Sequence, residues 1–186
     1  GRITHRVEEI AELLRPCDSA KTTQNLWGER WTKLCVNAMR NPIAAATGRG
    51  GNANDRDEAT RRLSILLAAE AVMVGLAHGF DIEDIYNITP DQLLAALNGD
   101  VSSMETAEKI ILENANFRND DQRPSMGQDI QKGRRTEIDF ISGLVEDKAK
   151  ELGLDVPYNS SIAEVVRSVE RGQIMPSATV VSKINV

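Results

Sequence analysis

Lys33, Asn37 and Asn41 recur every four residues within residues 31–42, which read WTKLCVNAMRNP. Four residues make about one turn of an α-helix, so an amine and two carboxamides would lie along one face. The residues between them are largely apolar, which predicts a helix otherwise suited to burial. A half-buried lysine beside two amides indicates a small-molecule site. A solvated lysine with two uninvolved asparagines fits the spacing equally well.

A second polar stretch, residues 123–139, reads RPSMGQDIQKGRRTEID. Ser125 is predicted at the start of a short turn. Glu137 is predicted in the first turn of the following helix, where the helix dipole favours a carboxylate. A helix cap and a loop would explain much of this composition. They explain less well why Ser125, Gln128 and Glu137 occur beside so many other groups able to bind a ligand.

Hydrophobic periodicity predicts an all-helical chain, a bundle of about seven to nine helices without a sheet. Capping boxes at residues 89–92, 102–105 and 161–164 indicate three of the helix starts. Besides the helix that carries Lys33, helices are predicted over residues 4–15, 57–78 (the longest), 90–97, 103–117, 136–152 and 161–171.

Three local features of the sequence carry further predictions. Pro42 should end or kink the Lys33 helix at Asn41, because the residue before a proline disfavours helical geometry. Residues 48–54 contain a glycine-rich pattern, but no strand pattern precedes it, as a dinucleotide-binding turn requires. We therefore predict a flexible loop there. Glu70 lies on an apolar helical stripe and is predicted to be a partnered or rim carboxylate rather than a catalyst.

Composition narrows the classes of function. The net charge of -6 argues against a nucleic-acid partner. Cys17 and Cys35 lack a CxxC spacing and are predicted to be free thiols in a reducing, cytoplasmic compartment. His5 and His78 lie far apart, so no metal site is predicted. No apolar run approaches the roughly 18 residues of a membrane span. The length of 186 residues suits one domain or half of a larger enzyme, and a first residue other than Met suggests a fragment.

The two polar stretches together resemble a known family. The pattern W-x-K-x-x-x-N-x-x-x-N-P, followed by P-S-M-x-Q-D-I-x-x-G-R-x-T-E-I-D, is similar to the C-terminal domain of ketopantoate reductases (2-dehydropantoate 2-reductases). The similarity continues through Gly143 and residues 153–157 and 170–172. It implies that residues 1–186 form an all-helical C-terminal domain like those of 6-phosphogluconate-dehydrogenase-like reductases. It also implies that an N-terminal Rossmann domain, absent from this chain, binds NADPH.

The resemblance also implies a role for each motif residue. Lys33 resembles the catalytic lysine, and Glu137 the glutamate near the lysine, the substrate hydroxyl and the nicotinamide. Asn37, Asn41 and Ser125 resemble the groups that bind the substrate. Hydride transfer to a 2-oxo acid leaves negative charge on the carbonyl oxygen, and a lysine ammonium can supply both charge and a proton.

The sequence departs from the family pattern in three ways. The chain contains no Rossmann domain, so by itself it should not catalyse the reaction. Residues 87–118 look longer than in a minimal member, and Asn52 is only a guess for a further polar ligand. Two other functions remain open: a related 2-oxoacid reductase with another substrate, and a non-catalytic helical dimerisation module. A homodimer is compatible with either enzyme.

Overall fold

The computed structural model of the chain describes residues 1–116, 122–181 and 184. In these ranges the chain forms ten α-helices and one 3₁₀ helix, with no strand. This confirms the all-helical prediction. The helices are α1 (His5–Leu14), α2 (Leu26–Thr47), α3 (Gly51–Arg56), α4 (Glu58–Ala77), α5 (Pro90–Leu97), α6 (Val101–Ala115), α7 (Ser125–Gln131), the 3₁₀ helix (Ile138–Phe140), α8 (Ser142–Glu151), α9 (Pro157–Glu170) and α10 (Ala178–Val181).

Helices α2 and α4 form the centre of the domain, and α5, α7 and α9 pack around them. Trp31 fixes the rotation of α2 against α4. Its indole nitrogen donates to the carbonyl oxygen of Ala71 at 2.8 Å, and its ring lies so close to Gly75 that a Cβ there would overlap it. Because Cys35 and Ala38 also face the core, the polar stripe of α2 points away from α4.

Helix α2 continues through Pro42 to Thr47, so the predicted end at Asn41 is wrong, while the alternative of a kink there stays a prediction. A proline within a helix removes one backbone hydrogen bond, here to the carbonyl of Ala38. Residues 41–47 are all buried, and their packing keeps the helical geometry. With 22 residues, α2 is also longer than α4, which has 20 and was predicted to be the longest.

One of the three predicted capping boxes is confirmed. Thr89 accepts from the backbone N–H of Gln92, whose side chain accepts from the N–H of Thr89. The other two are wrong because better start signals precede them. Asp100 caps α6 by accepting from Ser103. Pro157 opens α9, since proline suits the first turn of a helix.

The remaining boundaries differ locally from the sequence predictions. The loop predicted over residues 48–54 is wrong from residue 51 onward, because residues 51–56 form α3. The single helix predicted over 136–152 is divided, because Ile141 has a non-helical ψ of -89° between the 3₁₀ helix and α8. Helix α6 ends at Ala115, and the predicted end at residue 117 lies outside the described residues. The additional short helices α3 and α10 raise the helix count above the prediction.

Glu70 is partnered as predicted. Its carboxylate accepts from the backbone N–H groups of Tyr158 and Asn159 at 2.9 and 2.8 Å, and from the Asn159 side chain at 2.8 Å. These donors belong to the first turn of α9, so Glu70 joins α4 to α9. None of the described helices is both long and apolar enough to cross a membrane.

Candidate functional site

Lys33, Asn37 and Asn41 line one open cleft of about 280 Å³. Helix α2 forms one wall, and the start of α3, the side chain of Tyr86 and residues 122–124 form the others. The backbone N–H of Gly51 donates to the carbonyl oxygen of Gln122 at 3.2 Å, which joins two of these walls. The lining residues are Lys33, Val36, Asn37, Arg40, Asn41, Gly51, Asn52, Tyr86, Gln122, Arg123 and Pro124.

The three polar side chains of the α2 stripe are available to a ligand. Asn41 is buried at 8% exposure, Asn37 is partly buried and Lys33 is exposed. Within the part of the chain that the structure describes, none of these side chains makes a hydrogen bond or an ion pair. These polar groups face the open cleft, so the cleft suits a polar ligand. The expected half-burial of Lys33 is wrong for this chain, because α2 leaves that turn open to solvent.

Arg40 lies on the same face of α2 and holds α3 against it. Its guanidinium pairs with both oxygens of Asp55, at 2.5 and 2.9 Å, and the side chains are 11% and 3% exposed. Gly51 permits this approach, since a Cβ there would lie 3.2 Å from an Arg40 nitrogen. The pair therefore sets the distance between two walls of the cleft.

The cleft is positively charged. Its described lining includes Lys33, Arg40 and Arg123 and no carboxylate. Asp55 compensates the charge of Arg40. Arg123 donates to the carbonyl oxygen of Gly48 at 2.7 Å, a bond that positions it without neutralising it. The local field thus favours an anionic ligand, although the chain as a whole carries a net charge of -6.

A tight turn carries Tyr86 into the cleft. Ile85 and Ile88 exchange two backbone hydrogen bonds of 2.9 Å, and Tyr86 and Asn87 between them have φ values of 55° and 68°. Two central residues with positive φ indicate a type I′ turn. The ring centroid of Tyr86 lies 5.8 Å from the guanidinium carbon of Arg40, which is within cation–π range.

Residues 25–170 match the family model described as "Ketopantoate reductase PanE/ApbA C terminal". The chain belongs to this family. A 2-dehydropantoate 2-reductase of Archaeoglobus fulgidus is 27% identical over 173 residues, which are 92% of this chain and 51% of the relative. Another, of Pyrococcus horikoshii, is 29% identical over 165 residues, 88% of this chain and 48% of the relative. This chain therefore spans about half the length of these relatives.

Solved structures show the same fold. A ketopantoate reductase from Ralstonia eutropha superposes with a TM-score of 0.69 at 24% identity, over 91% of this chain and 50% of that one. A D-mandelate dehydrogenase, solved with NADH and anilino(oxo)acetate, superposes with a TM-score of 0.69 at 20% identity, over 90% of this chain and 48% of that one. The ketopantoate reductase domain is therefore a fold that enzymes with different names share.

Two of the predicted site residues lie outside the cleft lining. Ser125 is exposed at the start of α7, directly after Pro124, which lines the cleft. Glu137 is exposed beside the 3₁₀ helix, and its carboxylate has no hydrogen bond or ion pair among the described residues. Its segment is held against α9, where Asp139 pairs with Arg167 at 2.9 Å. The structure thus brings Lys33, Asn37 and Asn41 together, places Ser125 at the rim and leaves Glu137 apart.

Sequence reasoning missed several lining residues of this ketopantoate reductase domain. Arg40 lies three residues after Asn37 and seven after Lys33, so helical spacing could have placed it on the same face. Tyr86 and Arg123 reach the cleft only through tertiary contacts, and no sequence pattern indicated them. Asn52, which was only a guess, is buried and lines the cleft.

Cys35 follows Lys33 by two residues but points into the core and is fully buried. Burial raises the pKa of its thiol to about 12. The reactive form of a cysteine is the thiolate, so Cys35 is a packing residue and takes no part in the chemistry of the cleft.

Proposed function

We propose that this chain is the C-terminal substrate-binding and catalytic domain of an NADPH-dependent 2-dehydropantoate 2-reductase. The supporting observation is one cleft in which Lys33, Asn37 and Asn41 present unpartnered polar groups. The basic lining suits the carboxylate of a 2-oxo acid. The product would be pantoate, which is used in pantothenate and coenzyme A synthesis. We place the protein in the cytoplasm in this proposal.

The proposal includes an N-terminal Rossmann domain as the partner of this one. The relatives are about twice the length of the chain. The described residues do not form a dinucleotide cradle, because Gly48 and Gly51 connect two helices where such a cradle needs a strand before the turn. We therefore assign NADPH binding mainly to the N-terminal domain, and we expect the chain alone to be inactive.

The residues of the cleft would act on the substrate oxygen. NADPH, when bound by the N-terminal domain, would supply a hydride for the carbonyl carbon. Lys33 then donates a proton to the oxygen as negative charge grows there, and the amine regains a proton from solvent. A positive charge at that point stabilises the transition state more than the ground state. The N-terminal domain would cover Lys33, which solvent reaches in this chain.

The neutral groups would orient the substrate. Asn37 and Asn41 can hydrogen-bond the carboxylate and carbonyl without adding charge, and Ser125 at the rim can bind the hydroxyl. Glu137 would act on the nicotinamide side, facing the cofactor that the N-terminal domain would hold. The exposed and unpartnered carboxylate of Glu137 leaves it available for that contact.

A second candidate is a related 2-oxo acid reductase with the same chemistry and another substrate. The D-mandelate dehydrogenase superposes with the same TM-score as the ketopantoate reductase of Ralstonia eutropha. Its structure contains an aryl-substituted oxo-acetate. The fold therefore does not select between a branched alkyl and an aromatic 2-oxo acid.

The test is steady-state reduction of 2-dehydropantoate by the two-domain enzyme that carries this chain. Lys33→Ala should lower kcat by about 100- to 1,000-fold, as loss of one oxyanion donor does, with a smaller change in KM. Ser125→Ala should act mainly on KM, because it removes binding common to the ground and transition states. Lys109→Ala is the matched control, since Lys109 is exposed on α6 outside the cleft.

Each result has a distinct meaning. If Lys33→Ala keeps the parental kcat, the proton-donor assignment is wrong. If the parent ignores 2-dehydropantoate but reduces another 2-oxo acid, the second candidate replaces the first. If it reduces no 2-oxo acid with NADPH or NADH, a non-catalytic helical dimerisation module becomes the better proposal.

A further inference from the structure

Tyr86 is held in a backbone conformation that a tyrosine rarely adopts. Its φ of 55° lies in the left-handed region, where bulky side chains are uncommon. Type I′ turns favour Asn and Gly at both central positions, and Asn87 fits that preference while Tyr86 does not. Nothing in the turn itself requires an aromatic residue, because its two hydrogen bonds join Ile85 and Ile88.

The ring of Tyr86 has a defined place in the cleft. It lines the same cavity as the polar stripe of α2 and lies over the guanidinium of Arg40. Arg40 is itself fixed by its two contacts with Asp55. The ring therefore rests on a rigid support, although the side chain remains 36% exposed. Strained conformations of this kind persist where the surrounding structure holds them, and they concentrate at ligand sites.

We propose that Tyr86 is a specificity-determining residue of the cleft, and this rests on the proposed reduction of 2-oxo acids. Most of the lining is polar, and its Lys33, Asn37 and Asn41 suit the carboxylate and carbonyl. The ring of Tyr86 provides an apolar surface for the substituent on the other side of the carbonyl. It sets the room for that substituent, favouring a compact branched alkyl group over an aromatic one.

The turn offers a matched set of variants. Tyr86→Asn removes the ring together with its contact to Arg40 and places a residue that the I′ geometry favours, so the variant should still fold. Asn87→Gly changes the same turn, keeps the ring and serves as the control. Tyr86→Phe keeps the aromatic surface. The measurement is kcat/KM of the two-domain enzyme for 2-dehydropantoate and for phenylglyoxylate, an aryl 2-oxo acid.

Tyr86→Asn should shift the ratio of the two kcat/KM values toward phenylglyoxylate by about 10-fold or more, the scale of a changed apolar pocket contact. Tyr86→Phe and Asn87→Gly should keep the parental ratio. An unchanged ratio in Tyr86→Asn, with turnover intact, overturns the role of Tyr86 alone. An equal shift in Asn87→Gly also overturns it, because the turn rather than the ring would then set specificity. A parent that reduces no 2-oxo acid overturns the proposed function as well.

Discussion

Glu70 is a carboxylate at 1% exposure that still accepts three hydrogen bonds. Burial raises the pKa of this group above its ordinary value of 4.5, and the bonds from Tyr158 and Asn159 oppose that shift without reversing it. The folded protein therefore holds the Glu70 proton more tightly than the unfolded chain does. The contribution of Glu70 to the free energy of unfolding is complete below pH 4.5 and is lost as the pH rises through the raised pKa.

Glu70→Gln should remove this pH dependence. We expect the difference in free energy of unfolding, parent minus Glu70→Gln, to fall as the pH rises from 4.5 through the raised pKa of Glu70, as linkage requires. Urea denaturation at a series of pH values measures it. Glu164→Gln is the control, because the bond from Arg171 lowers the pKa of Glu164. For this residue the difference in free energy of unfolding, parent minus variant, should instead rise with pH. Parallel pH profiles for the parent and Glu70→Gln would contradict the prediction.

The individual residues of the cleft differ in how far sequence could predict them. Lys33, Asn37 and Asn41 follow from helical spacing alone, because their relation needs no knowledge of the rest of the fold. Tyr86 depends on a turn whose sequence lacks the usual Asn-Gly signal. Its contact with Arg40 joins residues far apart in the chain, and such a contact has no periodic signature.

The helices also divide into those that the sequence predicted and those that depend on tertiary contacts. Apolar spacing predicted α4, since burial of one face dominates where helices are long. A capping box predicted α5 correctly, whereas the box at residues 161–164 placed the start of α9 four residues too late. The helix end predicted at Asn41 is wrong because the local preference of the residue before a proline gives way where residues 41–47 are all buried. Helix α3 was missed because its position depends on the buried contact between Arg40 and Asp55.

Two ion pairs near α3, one buried and one exposed, allow a test of whether the Arg40–Asp55 contact holds α3 in place. The Arg40–Asp55 pair is 11% and 3% exposed, and the Arg49–Asp57 pair is 43% and 36% exposed. Asp55→Ala leaves a buried guanidinium unpaired and should cost about 3–5 kcal/mol of stability. Arg49→Ala breaks only a solvated pair and should cost about 0–1 kcal/mol.

Chemical denaturation of both variants measures the two costs. Arg49, rather than Asp57, is the residue to change, because Asp57 also caps α4 by accepting from Thr60. Equal losses in the two variants would show that the Arg40–Asp55 pair does not hold α3 in place.

At the scale of the whole molecule, the net charge of the chain and the charge of the cleft have opposite signs. The net charge of -6 would repel a small anion, yet the described lining of the cleft contains three basic side chains. The charge is thus segregated, and the anion-attracting region coincides with the unpartnered groups of α2. Composition alone predicted the global charge, but the segregation follows from how α2 and residues 122–124 meet in the fold.

The last prediction concerns the missing half of the proposed enzyme. We expect residues 1–186 by themselves to bind NADPH only weakly, because pyrophosphate recognition needs glycines in a turn between a strand and a helix. The described glycine-rich segment instead lies between α2 and the six-residue α3. Isothermal titration of this chain with NADPH measures the affinity, and the two-domain enzyme under identical conditions is the positive control. Low-micromolar binding by the chain alone would mean that its own residues hold the cofactor. The assignment of NADPH binding mainly to the N-terminal domain would then be wrong.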